Sequence, residues 1–228
     1  PTAAPTATRQ PPAPAAPGVI HSFENWGTWT RGQQPYGELI QSQEQVQAGS
    51  YAAALIYDYA GSSSADDFVV FVNRAAIGGE PNALSVWVYG DGSGHMLNLW
   101  IEDAEGQVWS VHMGTLTFSG WQQLTAAIDP NQPWPSGKVY GPDNGAIDYP
   151  LRFQAIVLDR PGGGPLSGTI YLDDVQSLTR DPGTAPAATA TPSQPGAGQI
   201  GRLIFTVQVD KNYCLYSTDP SWNKAVKI

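Results

Sequence analysis

The sequence predicts an all-β protein, a two-sheet antiparallel β-sandwich of jelly-roll type flanked by Pro/Thr/Ala-rich linkers. Three observations carry this. Apolar, β-branched and aromatic residues alternate with polar ones along many short runs, the period-two pattern of half-buried strands. Gly (25) and Pro (20) punctuate those runs and are poor companions of long helices. No stretch carries a convincing amphipathic helical period, and aromatics at 11% are ample for a sandwich core.

Residues 1–17 form a Pro/Ala/Thr tract with a single charge, a composition that cannot bury a core and favours an extended spacer. The domain spans 18–180, with candidate strands at 19–24, 37–45, 50–59, 67–74, 83–90, 96–103, 107–113, 121–128, 150–158 and 168–178. Turn signals separate them, among them Gly61-Ser62-Ser63-Ser64, Gly78-Gly79-Glu80-Pro81 and Gly162-Gly163-Gly164. Gly90-Asp91-Gly92-Ser93-Gly94-His95 lacks the run of acids and the distal Glu of a calcium loop and reads as a tight hairpin turn. The long irregular stretch 129–149, with Trp134 and Tyr140, has the length of a functional loop. Residues 181–198 repeat the linker composition, and spacers of this type are common between extracellular modules. Residues 199–228 then turn net positive, with Arg202, Lys211, Lys224 and Lys227 against Asp210 and Asp219, and read as a β-hairpin belonging to a further domain.

The formal charge of −9 argues against nucleic acid and anionic membranes as partners and suits neutral glycans or cations. The single cysteine, Cys214, allows no disulfide within the chain. No apolar run approaches the roughly 20 residues that span a bilayer, and the chain opens in linker composition, with no signal peptide read there. His21, His95 and His112 lack zinc-ligand spacing. Glu102, Asp103 and Glu105 sit at a strand end, where solvated acids are ordinary, and no nucleophile elbow, phosphate loop or dinucleotide fingerprint occurs, so no enzyme activity is expected.

The last candidate strand carries the adjacent pair Asp173 and Asp174. Side chains alternate on a strand, so one of the two should share a face with Ile170 and Leu172, and a carboxylate there needs a cation or several donors. Phe23-Glu24-Asn25 is a second acidic break in an apolar run, near the start of the domain. These points either meet around a Ca²⁺ ion or are simply strand-end acids facing solvent.

Phe23-Glu24, Val46-Gln47-Ala48-Gly49-Ser50-Tyr51-Ala52, Gly120-Trp121 and Tyr171-Leu172-Asp173-Asp174-Val175 occur in the order found in carbohydrate-binding modules. Over 19–178 the chain resembles their calcium-containing β-jelly-roll group, especially the family eleven and family four types. The resemblance implies a structural Ca²⁺ held by Glu24, by Asp173 or Asp174, and by backbone carbonyls near Gly49 and Ser50. The C-terminal 30 residues are similar to the opening of a TolB-like β-propeller.

For sugar binding, alternation sorts Trp87, Tyr89, Asn98, Trp100, Glu102, Arg152 and Gln154 onto strand faces opposite their apolar neighbours. Together they would make a concave platform of stacking rings and hydroxyl-bonding groups; singly, any of the Trp residues could instead fill the core. The function so read is a non-catalytic polysaccharide-binding module of an exported, multidomain protein at a bacterial cell surface. A structural or adhesive sandwich packing on other proteins, or the sensory ectodomain of a membrane receptor, are the alternatives.

Overall fold

The computed structural model describes residues 18–62 and 67–179, and beyond them the strands Leu203–Val209, Asn212–Thr218 and Ala225–Lys227. Both Pro/Thr/Ala-rich linkers, 1–17 and 181–198, lie outside the described residues. Residues 19–178 fold as strands β1 (Val19–His21), β2 (Thr30–Arg31), β3 (Gly37–Ser42), β4 (Ala52–Asp58), β5 (Asp67–Ala76), β6 (Ala83–Asp91), β7 (Met96–Glu102), β8 (Val108–Thr115), β9 (Ser119–Ala127), β10 (Gly137–Tyr140), β11 (Arg152–Arg160) and β12 (Ser167–Leu178). No helix among the described residues is long and apolar enough to cross a membrane.

Two six-stranded antiparallel sheets result. Sheet I runs β3-β4-β12-β6-β9, with β1 paired to the end of β12 that β4 leaves free. Sheet II runs β10-β8-β7-β11-β5-β2. The alternation read from the sequence is what closes them on each other. Leu55, Tyr57, Leu84, Val86, Val88, Ile170 and Leu172 from sheet I meet Val69, Phe71, Leu97, Leu99, Ile101, Phe153 and Ile156 from sheet II in one core, all buried. Trp109 belongs to that core beside Val111 and Met113, and its indole N–H donates to the buried Asp103 carboxylate at 2.8 Å.

Three local features depart from the sequence reading. Two short edge strands, β2 and β10, add to sheet II; two and four residues are too short to show a period. The segment 91–95 is not a hairpin turn: β6 pairs with β12 and β9, and β7 with β11 and β8, so the chain crosses there from sheet I to sheet II. His95, fully buried in this crossover, packs edge-on against Tyr57 and Tyr59. Finally, β12 carries a β-bulge between Asp173 and Gln176, with Asp174 at φ 43°. The bulge absorbs the doubled acid: Val175 returns to the core, and neither Asp173 nor Asp174 takes the core side held by Ile170 and Leu172.

The chain from 188 to 228 is a second unit. Its strands β13 (Leu203–Val209), β14 (Asn212–Thr218) and β15 (Ala225–Lys227) form one antiparallel sheet in sequence order. The predicted hairpin is there over longer strands, with a third strand added.

Candidate functional site

The two acidic breaks converge on the segment 46–51. Glu24 Oε1 accepts the backbone N–H groups of Ser50 and Tyr51 at 2.8 and 2.9 Å. Asp173 Oδ2 accepts those of Gln47 and Ala48, both at 3.0 Å, and Oδ1 that of Asp174 at 2.9 Å. Gly49, at φ +71°, must be glycine, because a Cβ there would run into the Glu24 carboxylate. The loop therefore meets both acids with amide hydrogens. Asp173 is fully buried; burial raises its pKa while its three amide donors pull it down. The Asp174 carboxyl is raised by burial and by the neighbouring charge of Glu24. Among the described residues no group of three or more His, Cys, Asp or Glu is placed to hold a metal ion. The like-charged pair Glu24–Asp174 is the part of this junction whose repulsion a cation would relieve, since Asp173 is already satisfied by amides.

The seven residues expected to share a glycan platform are divided by the crossover at 91–95. Trp87 and Tyr89 lie on the outward side of sheet I. There Tyr171, Tyr89 and Trp121 stand directly opposite one another on three neighbouring strands, edge to face at 5.9 and 5.7 Å. The same register row continues to Ala54 and the exposed Ile40, and the Tyr171 hydroxyl donates to Glu44 at 2.6 Å.

Asn98, Trp100, Glu102, Arg152 and Gln154 are together on the outward side of sheet II. Arg152 is directly opposite Glu102, and Ala155 opposite Trp100. Against β7, a bulge between Phe153 and Ala155 makes Gln154 the extra residue. Trp100 packs on a small apolar cluster of Val70, Ala155 and Val157, distinct from the main core, and meets the Tyr140 ring edge to face at 6.3 Å. Gln154 links the polar groups: its Oε1 accepts from Arg74 Nε at 3.0 Å, and its amide donates to the Tyr140 hydroxyl at 3.2 Å. Arg74 Nη2 lies 3.7 Å from Glu102 Oε2. Beneath this surface Asn98 is buried between His112 Nδ1, at 2.8 Å, and the Asp159 carboxylate, to which its amide donates. Burial pushes the Asp159 carboxyl up to about 7, against the pull of that amide, and lowers the His112 imidazole.

Two members of this surface escaped the sequence reading. Arg74 continues the outward row Phe68, Val70, Val72, which alternation alone could have extended. Tyr140 was visible only as part of the irregular 129–149 stretch; its placement needs β10 to join sheet II beside β8.

No curated protein matches the chain by sequence. Among solved structures, the chain is similar to the family 11 carbohydrate-binding module of Clostridium thermocellum in complex with a β-1,3-1,4-mixed-linked tetrasaccharide, with 12% identity over 72% of this chain and 96% of that one and a TM-score of 0.49. It is also similar to the C-terminal family 22 carbohydrate binding module of Clostridium thermocellum Xyn10B, at 16% identity, 73% and 97% coverage and a TM-score of 0.40. The family model of FlaA, the flagellar filament outer layer protein, matches residues 56–178. That match takes in more than half of the 228 residues and runs from β4 to the end of β12, and on it the chain belongs to the FlaA family.

Proposed function

We propose that the sandwich is a non-catalytic glycan-binding module of an exported protein, working through the outward side of sheet II. The observation that carries this reading is the joining of Trp100 and Tyr140 to Gln154, Arg74 and Glu102. Aromatic faces stack on the C–H surfaces of sugar rings, while a hydrogen-bonded amide, guanidinium and carboxylate beside them serve hydroxyls. Half of the Tyr140 side chain is exposed, so it can take a ring without rearrangement. Electrophoresis of the full chain through gels laced with mixed-linked β-glucan, xylan or galactan tests this. Retardation by at least one polymer, lost in Tyr140→Ala, is the expected result; no retardation by any of them removes the reading.

The structural ion of this reading is Ca²⁺ held by Glu24 and Asp174, with carbonyls and water completing its six to eight oxygen ligands. Asp173 would position the loop rather than bind. An ion bound only by the folded state stabilises it by mass action, so excess chelator should lower the melting temperature by several degrees, and Glu24→Gln should abolish the chelator's effect. An unchanged melting curve in chelator removes the ion.

A second reading, a packing module on a cell-surface assembly, is favoured by the family's description as a filament outer layer protein and by the apolar row Ile40–Ala54–Tyr171–Tyr89–Trp121 on sheet I. Self-association in sedimentation that Ile40→Glu abolishes would carry it.

A further inference from the structure

Charge is divided between the sheets. All five Lys and Arg of the described sandwich (Arg31, Arg74, Lys138, Arg152 and Arg160) lie in strands of sheet II, whose strands hold three acids, Asp67, Glu102 and Asp159. Strands of sheet I hold no Lys or Arg and five acids, Glu38, Asp58, Asp91, Asp173 and Asp174. Counted over strand residues alone, one sheet stands at 5 − 3 = +2 and the other at −5, while the loops joining sheet II strands to one another add the acids Asp103, Glu105, Asp143 and Asp148. Sheets pack about 10 Å apart, and charges are screened over about 8 Å at physiological salt, so a ligand on sheet II feels that sheet's own charges first.

Three of the five cations are engaged elsewhere: Arg31 with the Gly37 carbonyl, Arg160 with that of Gly164, and Lys138 with Asp143. The other two flank the platform. Arg74 keeps 59% of its side chain exposed while Gln154 holds its Nε, and its contact with Glu102 is long at 3.7 Å. The Arg152 side chain, exposed and directly across from Glu102, has no hydrogen-bond or ion-pair partner among the described residues. Two guanidinium groups therefore stand beside one carboxylate and two aromatic rings. The acids Glu105 and Asp148 lie farther along the rim, where both accept from Asn144.

We propose that the ligand of this face is an acidic polysaccharide, a uronic-acid chain whose rings stack on Trp100 and Tyr140 while a ring carboxylate takes the Arg152 guanidinium. Planar, bidentate carboxylate recognition is what an uncommitted arginine does best. This rests on the glycan-binding reading and narrows it from the neutral polymers that the overall charge suggests.

The test titrates the full chain, at fixed calcium, with oligogalacturonates, with their methyl-esterified counterparts and with a neutral β-glucan oligosaccharide. The expected result is binding of the free acid about tenfold tighter than of the ester, the scale of a charge-assisted hydrogen bond. That preference should shrink as salt rises and vanish in Arg152→Gln, with the melting temperature unchanged. Equal affinity for acid and ester, or preference for the neutral chain, overturns the proposal and leaves glycan binding standing. No binding to any of the three overturns the proposal, and retardation in the xylan- and galactan-laced gels then decides the glycan-binding reading separately.

Discussion

On sheet I the rings of Tyr171, Tyr89 and Trp121 interlock edge to face, and the outermost hydroxyl is closed off by Glu44. On sheet II Trp100 and Tyr140 also meet edge to face, but they sit among arginines, and the Tyr140 side chain is half exposed. The two outward surfaces use the same residue types to different ends. Rings in a continuous cross-strand row satisfy one another and stiffen the sheet. Rings bordered by long polar side chains leave contact area and hydrogen bonds for something else. Aromatic content alone does not mark a binding face; the company the rings keep does.

The contrast can be broken most forcefully at Asp173. Replacing it with Ala leaves the backbone amides of Gln47 and Ala48 without their acceptor and should cost about 1.5–3 kcal/mol, the range for hydrogen bonds to a charged group. Denaturant melts give that loss, and at temperatures where the variant stays folded its retention in glycan-laced gels should be unchanged. Loss of retention by the folded variant would mean that the sheet I side also takes part in binding.

A finer cut compares two tryptophans. Trp100→Ala should weaken glycan affinity about tenfold or more, as loss of a central aromatic anchor does. It should also destabilise the fold, because the indole covers Val70, Ala155 and Val157. Trp87→Ala, on the other sheet, should leave affinity unchanged. Titration of both variants decides, and equal losses would erase the distinction between the faces.

The smallest effect concerns Asp159. Its folded-state pKa of about 7 lies above the usual value near 3.9. The folded state therefore holds a proton that the unfolded chain releases, and this group's stabilisation is present at low pH and lost as pH rises toward 7. In melts across that range, Asp159→Asn should lose less stability on going from pH 4 to 7 than the parent does. Identical slopes would show that the carboxylate is charged in the fold throughout.

Much of this was legible in the residues. Alternation puts Trp109 on one face with Val111 and Met113, which the structure shows to be the core side, and puts Asn98, Trp100 and Glu102 on the side opposite Leu97, Leu99 and Ile101. Family resemblance joined Glu24 to the 173–174 pair across the length of the domain. What stayed hidden were local events: the bulge at Asp173–Gln176 that spares the core a carboxylate, the bulge after Phe153 that puts Ala155 and Val157 on the Trp100 side, and the change of sheet at 91–95. Each shifts the period by one or breaks a pairing, and a pattern of period two carries no record of which partner a strand takes. The charge division was hidden differently, since it depends on sheet membership and not on order along the chain.

The pairing of β1 with β12 has a mechanical corollary. Gly18 and Ser177 are bonded to each other, the Gly18 N–H to the Ser177 hydroxyl and the Ser177 N–H to the Gly18 carbonyl. The polypeptide thus enters and leaves the sandwich side by side. Tension drawn through the two ends would not load a row of bonds in shear; it would peel β1 from its neighbour one link at a time, like a zip. Past β1 that tear would meet the buried Phe23, its carbonyl held by the Gln41 amide, and then the Glu24 carboxylate anchored to the amides of Ser50 and Tyr51.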